Sequence, residues 1–345
     1  MKGRVLVLDE LDGRQAAALI VDGRVEELAI DPAGDEALPG AIYRAVADRP
    51  VKGQGGIFVK LPQGSGFLRQ ISGVAPGQRL LVQVTGPAEP GKAVPVTTRL
   101  LFKSRFAIVT PDAPGLNISR RIKDEGLRAE LSALAEAGMA GAEARLGLIL
   151  RSSCEEAEPD AVAEDVAAMR GLAEAVLADL TGGPELLVDG PSAHDLAFRD
   201  WLDPAVDEAD TEAGSFDRHG VREALDALCD PRVALEGGAS AVIEPTRALV
   251  AVDVNTGPDT SPAASLKANI AAARELPRQL RLRGLGGQVV VDFAPMPKRD
   301  RAILDQVLKS AFKAEGETNL AGWTTLGLYE LTRKRDRLPL SELLA

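Results

Sequence analysis

The chain has 345 residues, 40 lysines and arginines against 51 aspartates and glutamates, a formal charge of −11, two cysteines and only 3% aromatics. That length suits two or three domains, and two cysteines exclude a disulfide framework or a four-thiolate zinc site. No window approaches the ~20 apolar residues of a membrane span, the opening run has no apolar secretory core, and the acidity taken whole argues against a phosphate-rich partner; a soluble cytoplasmic protein is expected.

In chain order, two short strands are predicted at Arg4–Leu8 and Ala16–Val21, with Asp-Gly turns at Asp12-Gly13 and Asp22-Gly23. A loop follows over 31–40. Short strands then recur at Ala41–Ala47, Gly56–Leu61, Gly66–Arg69, Arg79–Thr85, Val94–Leu100 and Phe106–Thr110, punctuated by Gly and Pro. Such spacing suggests a small barrel. The middle is helical by composition, at Gly126–Gly138, Ala161–Leu180 and Val221–Leu228. From about residue 241, β-branched runs at Ala248–Val254 and Gln288–Phe293 alternate with helices at Ser265–Arg283 and Lys298–Lys313. A third apolar stretch, Thr324–Leu328, follows. This alternation predicts a βαβ series with a parallel sheet. Pro277 is expected to kink its helix.

The charge is segregated. Residues 131–240 hold 7 basic and 24 acidic side chains, whereas 43–123 hold 13 basic and 3 acidic. The acidic middle reads as a solvated surface, and the basic stretch points to an anion-binding function.

Asp253 ends one buried-type strand in LVAVDVNTG, and Asp292 ends the next in GGQVVVDF. A right-handed crossover through one helix sets these strands side by side or nearly so. Both carboxylates then emerge at the carboxyl edge, where open α/β sheets bind ligands. Two carboxylates there suit Mg²⁺, with Asn255 placed to orient a water or a phosphate oxygen. The competing reading is that both aspartates cap turns. Arg274, Arg278 and Arg281 share one face of the intervening helix, either as a phosphate-facing row or as a solvated one. His194 and His219 lie away from both motifs, so no imidazole base is invoked. Trp201 and Trp323 are read as packing residues.

ALVAVDVNTG and KANIAAARELPRQLRLRGLGGQVVVDF together resemble the catalytic core of the ribonuclease E/G family, and LGLYELTRKR is similar to it as well. The resemblance implies a Mg²⁺-dependent endoribonuclease acting on single-stranded RNA, with Asp253 and Asp292 as metal ligands and Asn255 assisting. GIFVKLPQGSGFL resembles the family's OB barrel, placing Phe58 and Phe67 against bases, with Lys92 in GKAVPVTT as a basic contact. Both Phe also suit a core. LNISRRI places Arg120 and Arg121 near RNA, and the arginine row would join them. GLILRSS puts a 5′-phosphate sensor at Arg151 and Ser152, although Arg151 also suits an ion pair with Glu155 or Glu156.

The implied class is α/β, a multi-subdomain α+β protein. It comprises N-terminal strands of an RNase-H-like part (1–34), an OB-type barrel (35–103), a sensor-like part (104–185), a trimmed acidic RNase-H-like remainder (186–240) and a DNase-I-like βαβ catalytic part (241–345). Departures from the family are Ser104, where the sensor pocket has a Gly, and Thr325, where an Arg is usual. The zinc-link Cys-Pro-x-Cys is missing, so a monomer or a zinc-free dimer is expected rather than a zinc-linked one. The alternative function is an RNA-binding protein of the same family with weak or no cleavage. A phosphoesterase of small substrates is a third reading.

Overall fold

The structure is a computed structural model, and it describes every residue except 1, 35, 52–54, 70–72 and 90. The chain opens with β1 (Arg4–Leu11), β2 (Arg14–Val21) and β3 (Arg24–Ile30), three antiparallel strands. The Asp-Gly turns bring this about. Asp12, Gly13, Asp22 and Gly23 all adopt positive φ, the pair of left-handed residues that matches a two-residue turn to strand twist. Sequence reading stopped one strand short, because Glu26, Glu27 and a register shift break the alternation of β3.

The predicted barrel is present. β4 (Ile42–Val51), β5 (Gly56–Lys60), β6 (Ser65–Arg69), β7 (Arg79–Val84) and β8 (Val94–Thr97) pair in the order β4-β5-β6-β8-β7. β7 returns to β4 and closes a five-stranded barrel, an arrangement consistent with an OB-type domain. Its core is Ala45, Ile57, Val59, Leu68, Val82 and Val84.

A third unit follows. β9 (Phe102–Lys103), β10 (Ala107–Pro111), β11 (Gly115–Ile118) and, after α1 (Glu125–Gly138), β12 (Leu146–Leu150) form a four-stranded sheet. α1 and α2 (Pro159–Ala178) bury Leu131, Ala135, Val162 and Val166 against it. The chain then threads between units. β13 (Glu185–Val188) adds to the barrel at β4. α3 (Ala193–Asp200) covers one face of the first sheet through Ala193, Ala197 and the fully packed Trp201. β14 (Glu208–Asp210) extends that sheet beside β1. α4 (Ser215–Arg218) and α5 (Val221–Cys229) cover its other face through Phe216, Val221 and Leu225.

The last unit is a six-stranded sheet. β15 (Arg232–Ala234), β16 (Ser240–Pro245) and β17 (Val250–Asn255) precede α6 (Pro262–Leu282) and β18 (Gly287–Asp292). Then come α7 (Lys298–Ala311), β19 (Thr318–Trp323), β20 (Tyr329–Arg333) and the short α8 (Leu340–Leu343). The order is β15-β16-β17-β18-β20-β19. Only β17–β18 is parallel, so the expected parallel series is a single βαβ unit inside an otherwise antiparallel sheet. The apolar stretch Thr324–Leu328 is no strand. It is the turn joining β19 to β20, closed by hydrogen bonds between Thr324 and Leu328.

Both long helices lie on one face of this sheet. Val250, Val252, Val254, Val289 and Val291 pack under Ala272, Leu276, Leu304 and Leu308. The opposite face carries Asp253, Asn255, Asp292, Glu330 and Thr332, all exposed. α6 runs through Pro277, which sits buried in it. No helix among the described residues is long and apolar enough to cross a membrane.

Candidate functional site

Asp253 and Asp292 are direct partners in the parallel register of β17 and β18. Paired residues share a sheet face and adjacent strands are about 4.8 Å apart, so the two carboxylates stand side by side at the carboxyl edge. The alternation that buries Val252, Val254 and Val291 turns both onto the uncovered face. Asn255 follows two residues later on that same face, and its Nδ2 donates to Asp253 Oδ2 at 2.8 Å. Neither carboxylate accepts from a helix-end or turn amide among the described residues, which disfavours the capping reading. Aligned carboxylate oxygens with water on their open side are donors for a hard cation. Among the described residues, no cluster of three or more His, Cys, Asp or Glu side chains forms a closed metal cage.

The arginine row is not beside this pair. α6 starts near the aspartate edge and runs back across the sheet, so Arg274 to Arg281 lie roughly 18–28 Å along it. Arg278 donates to Val25 O at 2.7 Å and pairs with Glu26 and Glu275. Arg281 pairs with Glu26, Glu27 and Glu315. These two arginines dock α6 onto β3. Arg274 alone is exposed.

Phe58 and Phe67 face each other across β5 and β6, with ring centroids 5.2 Å apart. Both are half-buried, whereas their strand neighbours Ile57, Val59 and Leu68 fill the barrel core. The rings thus lie on the outer surface, not in the core. Gly56 makes room for them: a Cβ there would stand 2.5 Å from the Phe67 ring. Pro95 pairs with Phe67 and extends the strip. Lys92 is exposed and paired to Glu89 at 2.6 Å. It lines a cleft of about 490 Å³ shared with Leu28, Leu196 and Leu338.

The sensor-like pair is closed by carboxylates. Arg151 Nη2 donates to Asp200 Oδ1 at 2.6 Å, and Nη1 donates to the carbonyls of Ser104 and Arg199. Its partner is therefore Asp200, not Glu155 or Glu156. The Ser152 hydroxyl donates to Asp203, which also accepts from Arg121 at 3.2 Å. Arg120 is exposed nearby in sequence. The Ser104 hydroxyl is turned onto Asp165. Asp200 also pairs with Lys103 and Arg199. Burial pushes its carboxyl up, but Lys103 and Arg199 outweigh that and hold it at about 2. The same burial pushes the Lys103 ammonium down, despite Asp200.

Asp200 and Asp203 carried no local signal for these contacts, since Lys103, Arg121, Arg151 and Ser152 all lie about fifty residues away or more. They change the meaning of the charge map. Acidic residues of the middle segment neutralise basic residues of the first: Asp179 and Glu185 on Arg44, Asp200 on Lys103, Asp203 on Arg121.

Comparison with known proteins fits this arrangement. The model of the Ribonuclease E/G family matches residues 102–213 and 205–336. The chain is 30% identical to a protein named Ribonuclease E from Nostoc sp. (strain PCC 7120) over 394 aligned positions, covering 95% of the chain and 56% of that protein. It is equally similar, at 30%, to Ribonuclease E from Synechocystis sp. (strain PCC 6803), with the same coverage. Ribonuclease G from Haemophilus influenzae is 25% identical over 98% of the chain and 81% of its own length. The chain thus spans about half the length of the cyanobacterial relatives.

Proposed function

Because the chain belongs to the ribonuclease E/G family, we propose that it is a divalent-metal-dependent endoribonuclease that hydrolyses phosphodiester bonds in single-stranded RNA. The observation that carries this reading is the side-by-side placement of Asp253 and Asp292 on an open sheet face, with Asn255 bonded to the first. Asp253 and Asp292 hold the cation, for which the oxygen-only donor set favours Mg²⁺. When bound, it neutralises charge on the phosphate and lowers the pKa of a water. Asn255 fixes the Asp253 carboxylate through its Nδ2, and its carbonyl oxygen remains to accept from the attacking water. The barrel holds the strand: Phe58 and Phe67 stack bases, a sequence-tolerant mode suited to single strands, and Lys92, Arg120, Arg121 and Arg274 supply positive charge.

In this reading the first sheet with α3–α5 is the RNase-H-like part, the barrel is its insertion, and residues 241–345 are the DNase-I-like catalytic part. Arg278 and Arg281 hold these parts together instead of contacting RNA. Arg151 and Ser152 retain the positions of a 5′-phosphate sensor, but Asp200 and Asp203 already satisfy them, so we assign no sensing to this chain. An RNA substrate of this kind is consistent with a cytoplasmic protein, the location we infer. The test is incubation of a 5′-labelled single-stranded oligoribonucleotide with the protein and Mg²⁺. Internal cleavage that EDTA abolishes supports the reading, and an intact substrate refutes it.

A further inference from the structure

Arg301, in the first turn of α7, differs from many other arginines of the last part of the chain. Arg278, Arg281, Arg333, Arg335 and Arg337 each pair with a carboxylate. Arg301 has no ion pair or hydrogen bond among the described residues, and its Nε is buried without an acceptor. It is held instead by a ring. Its Cζ lies 4.5 Å from the centroid of Trp323. Trp323 is itself fixed, because its Nε1 donates to Asp305 Oδ1 at 2.8 Å and its ring packs against Tyr329 and Phe293. A guanidinium stacked in this way keeps its N–H edge free to donate in the plane.

The placement is specific. Trp323 pairs with Tyr329, and Tyr329 pairs with Val291, the residue before Asp292. Two strand spacings put the Trp323 rung roughly 10 Å from the Asp292 strand end, at the same sheet edge. Because Val291 and Tyr329 are buried under the helices, the stacked guanidinium stands on the helix-covered side of that edge, with the carboxylates on the other. There it meets the turn between β19 and β20. A Cβ at Gly327 would stand 3.1 Å from Arg301 Nη2, and Leu326 at the turn tip is 88% exposed. The edge therefore presents two carboxylates on its open side and, on its helix-covered side, one oriented cation whose only partner among the described residues is an aromatic face. A divalent cation on the two carboxylates would bring their charge to zero, and a cation at the same edge adds the positive field that draws a polyanion there.

We propose that Arg301 is a phosphate contact. Laid on Trp323, its guanidinium takes a backbone phosphate flanking the scissile one and sets the register of the strand over Asp253 and Asp292. This rests on the nuclease reading above and deepens it.

The test measures binding, not turnover. The parent is the Asp253→Asn/Asp292→Asn variant without divalent metal, titrated by anisotropy against a labelled single-stranded RNA over a series of KCl concentrations. Arg301→Gln is expected to weaken binding about tenfold and to reduce the slope of log K against log salt by about 0.7, the loss of one single-strand phosphate contact. Arg301→Lys is expected to keep the slope while losing part of the affinity. If Arg301→Gln does not fold, Arg301→Met, which fills the same space on Trp323 without charge, is the comparison. Unchanged affinity in the uncharged variant overturns the proposal. So does weaker binding at an unchanged slope, which marks a purely structural role. Wild-type cleavage with unaltered binding by Arg301→Gln sinks this inference alone. No wild-type cleavage with an altered slope sinks the nuclease reading alone.

Discussion

Asp253 and Asp292 occupy the same rung of the one parallel strand pair in the last sheet, and α6 is the crossover that aligns them. Each carboxylate is held by its own strand, and neither depends on the other for its position. Asp253→Asn or Asp292→Asn is therefore expected to fold with a wild-type melting temperature and to cut RNA at least about 100-fold more slowly, the scale of losing one electrostatic partner of a reacting phosphate. Asn255→Ala, which removes a support of Asp253, should cost about 10- to 100-fold. Single-turnover rates with circular dichroism melts measure both.

The outward Phe58–Phe67 pair separates binding from folding. Each ring replaced by Ala should weaken single-stranded RNA binding by about 1–3 kcal/mol, with little change in stability because the barrel core lies on the other side of both strands. Gly56→Ala should weaken binding as well, because its Cβ would stand 2.5 Å from the Phe67 ring, and it should also cost stability, because that Cβ would stand 2.9 Å from the Leu68 carbonyl oxygen. Anisotropy titrations of the three variants check this.

Much of this was legible in the sequence. The Asp-Gly turns name their own backbone conformation, and the aspartates end β-branched runs with one helix between. The barrel announces itself by short strands between glycines. What escaped was long-range. Arg274, Arg278 and Arg281 form the same i, i+4, i+7 row whether it faces RNA or Glu26 and Glu27, which lie some 250 residues away. Asp200 and Asp203 looked like part of an anonymous acidic surface. Thr324–Leu328 imitated a strand by its threonines and leucines, yet hydrogen bonds between Thr324 and Leu328 close it as a turn with Leu326 exposed at the tip, whereas β19 and β20 are polar on the open face and masked their own periodicity.

The Arg281 network should be structural. Its side chain is 16% exposed and pairs with Glu26, Glu27 and Glu315. Arg281→Ala leaves Glu26, Glu27 and Glu315 each with one remaining arginine, Arg278, Arg337 and Arg333 respectively, and is expected to destabilise by about 2 kcal/mol, the scale of a lost charged hydrogen bond. The salt dependence of RNA binding should be unaltered. Denaturant titration and salt-dependent anisotropy of the one variant test both halves.

Asp200 gives the fold an acid limit. Its carboxyl sits at about 2 in the folded protein, below an ordinary value of about 3.9 when unfolded. Its contribution is present above the unfolded value and lost as pH falls towards the folded one, so about 2 kcal/mol disappears between roughly pH 4 and pH 2. Asp200→Asn should lower the melting temperature at pH 7 and flatten its fall over that window. The same carboxylate occupies Arg151, so wild-type rates on 5′-monophosphate and 5′-hydroxyl substrates should agree within about twofold, as expected when a phosphate finds no unpaired guanidinium. A marked preference for the monophosphate would show that Asp200 yields to substrate.

The most direct measurement is a single-turnover cleavage assay of single-stranded RNA in Mg²⁺, comparing the wild type with folded Asp292→Asn. The expected result is internal cleavage by the wild type, abolished by EDTA, and a rate reduced at least about 100-fold in the variant. Equal rates in the two proteins would contradict the assignment of the reaction to the Asp253–Asp292 edge.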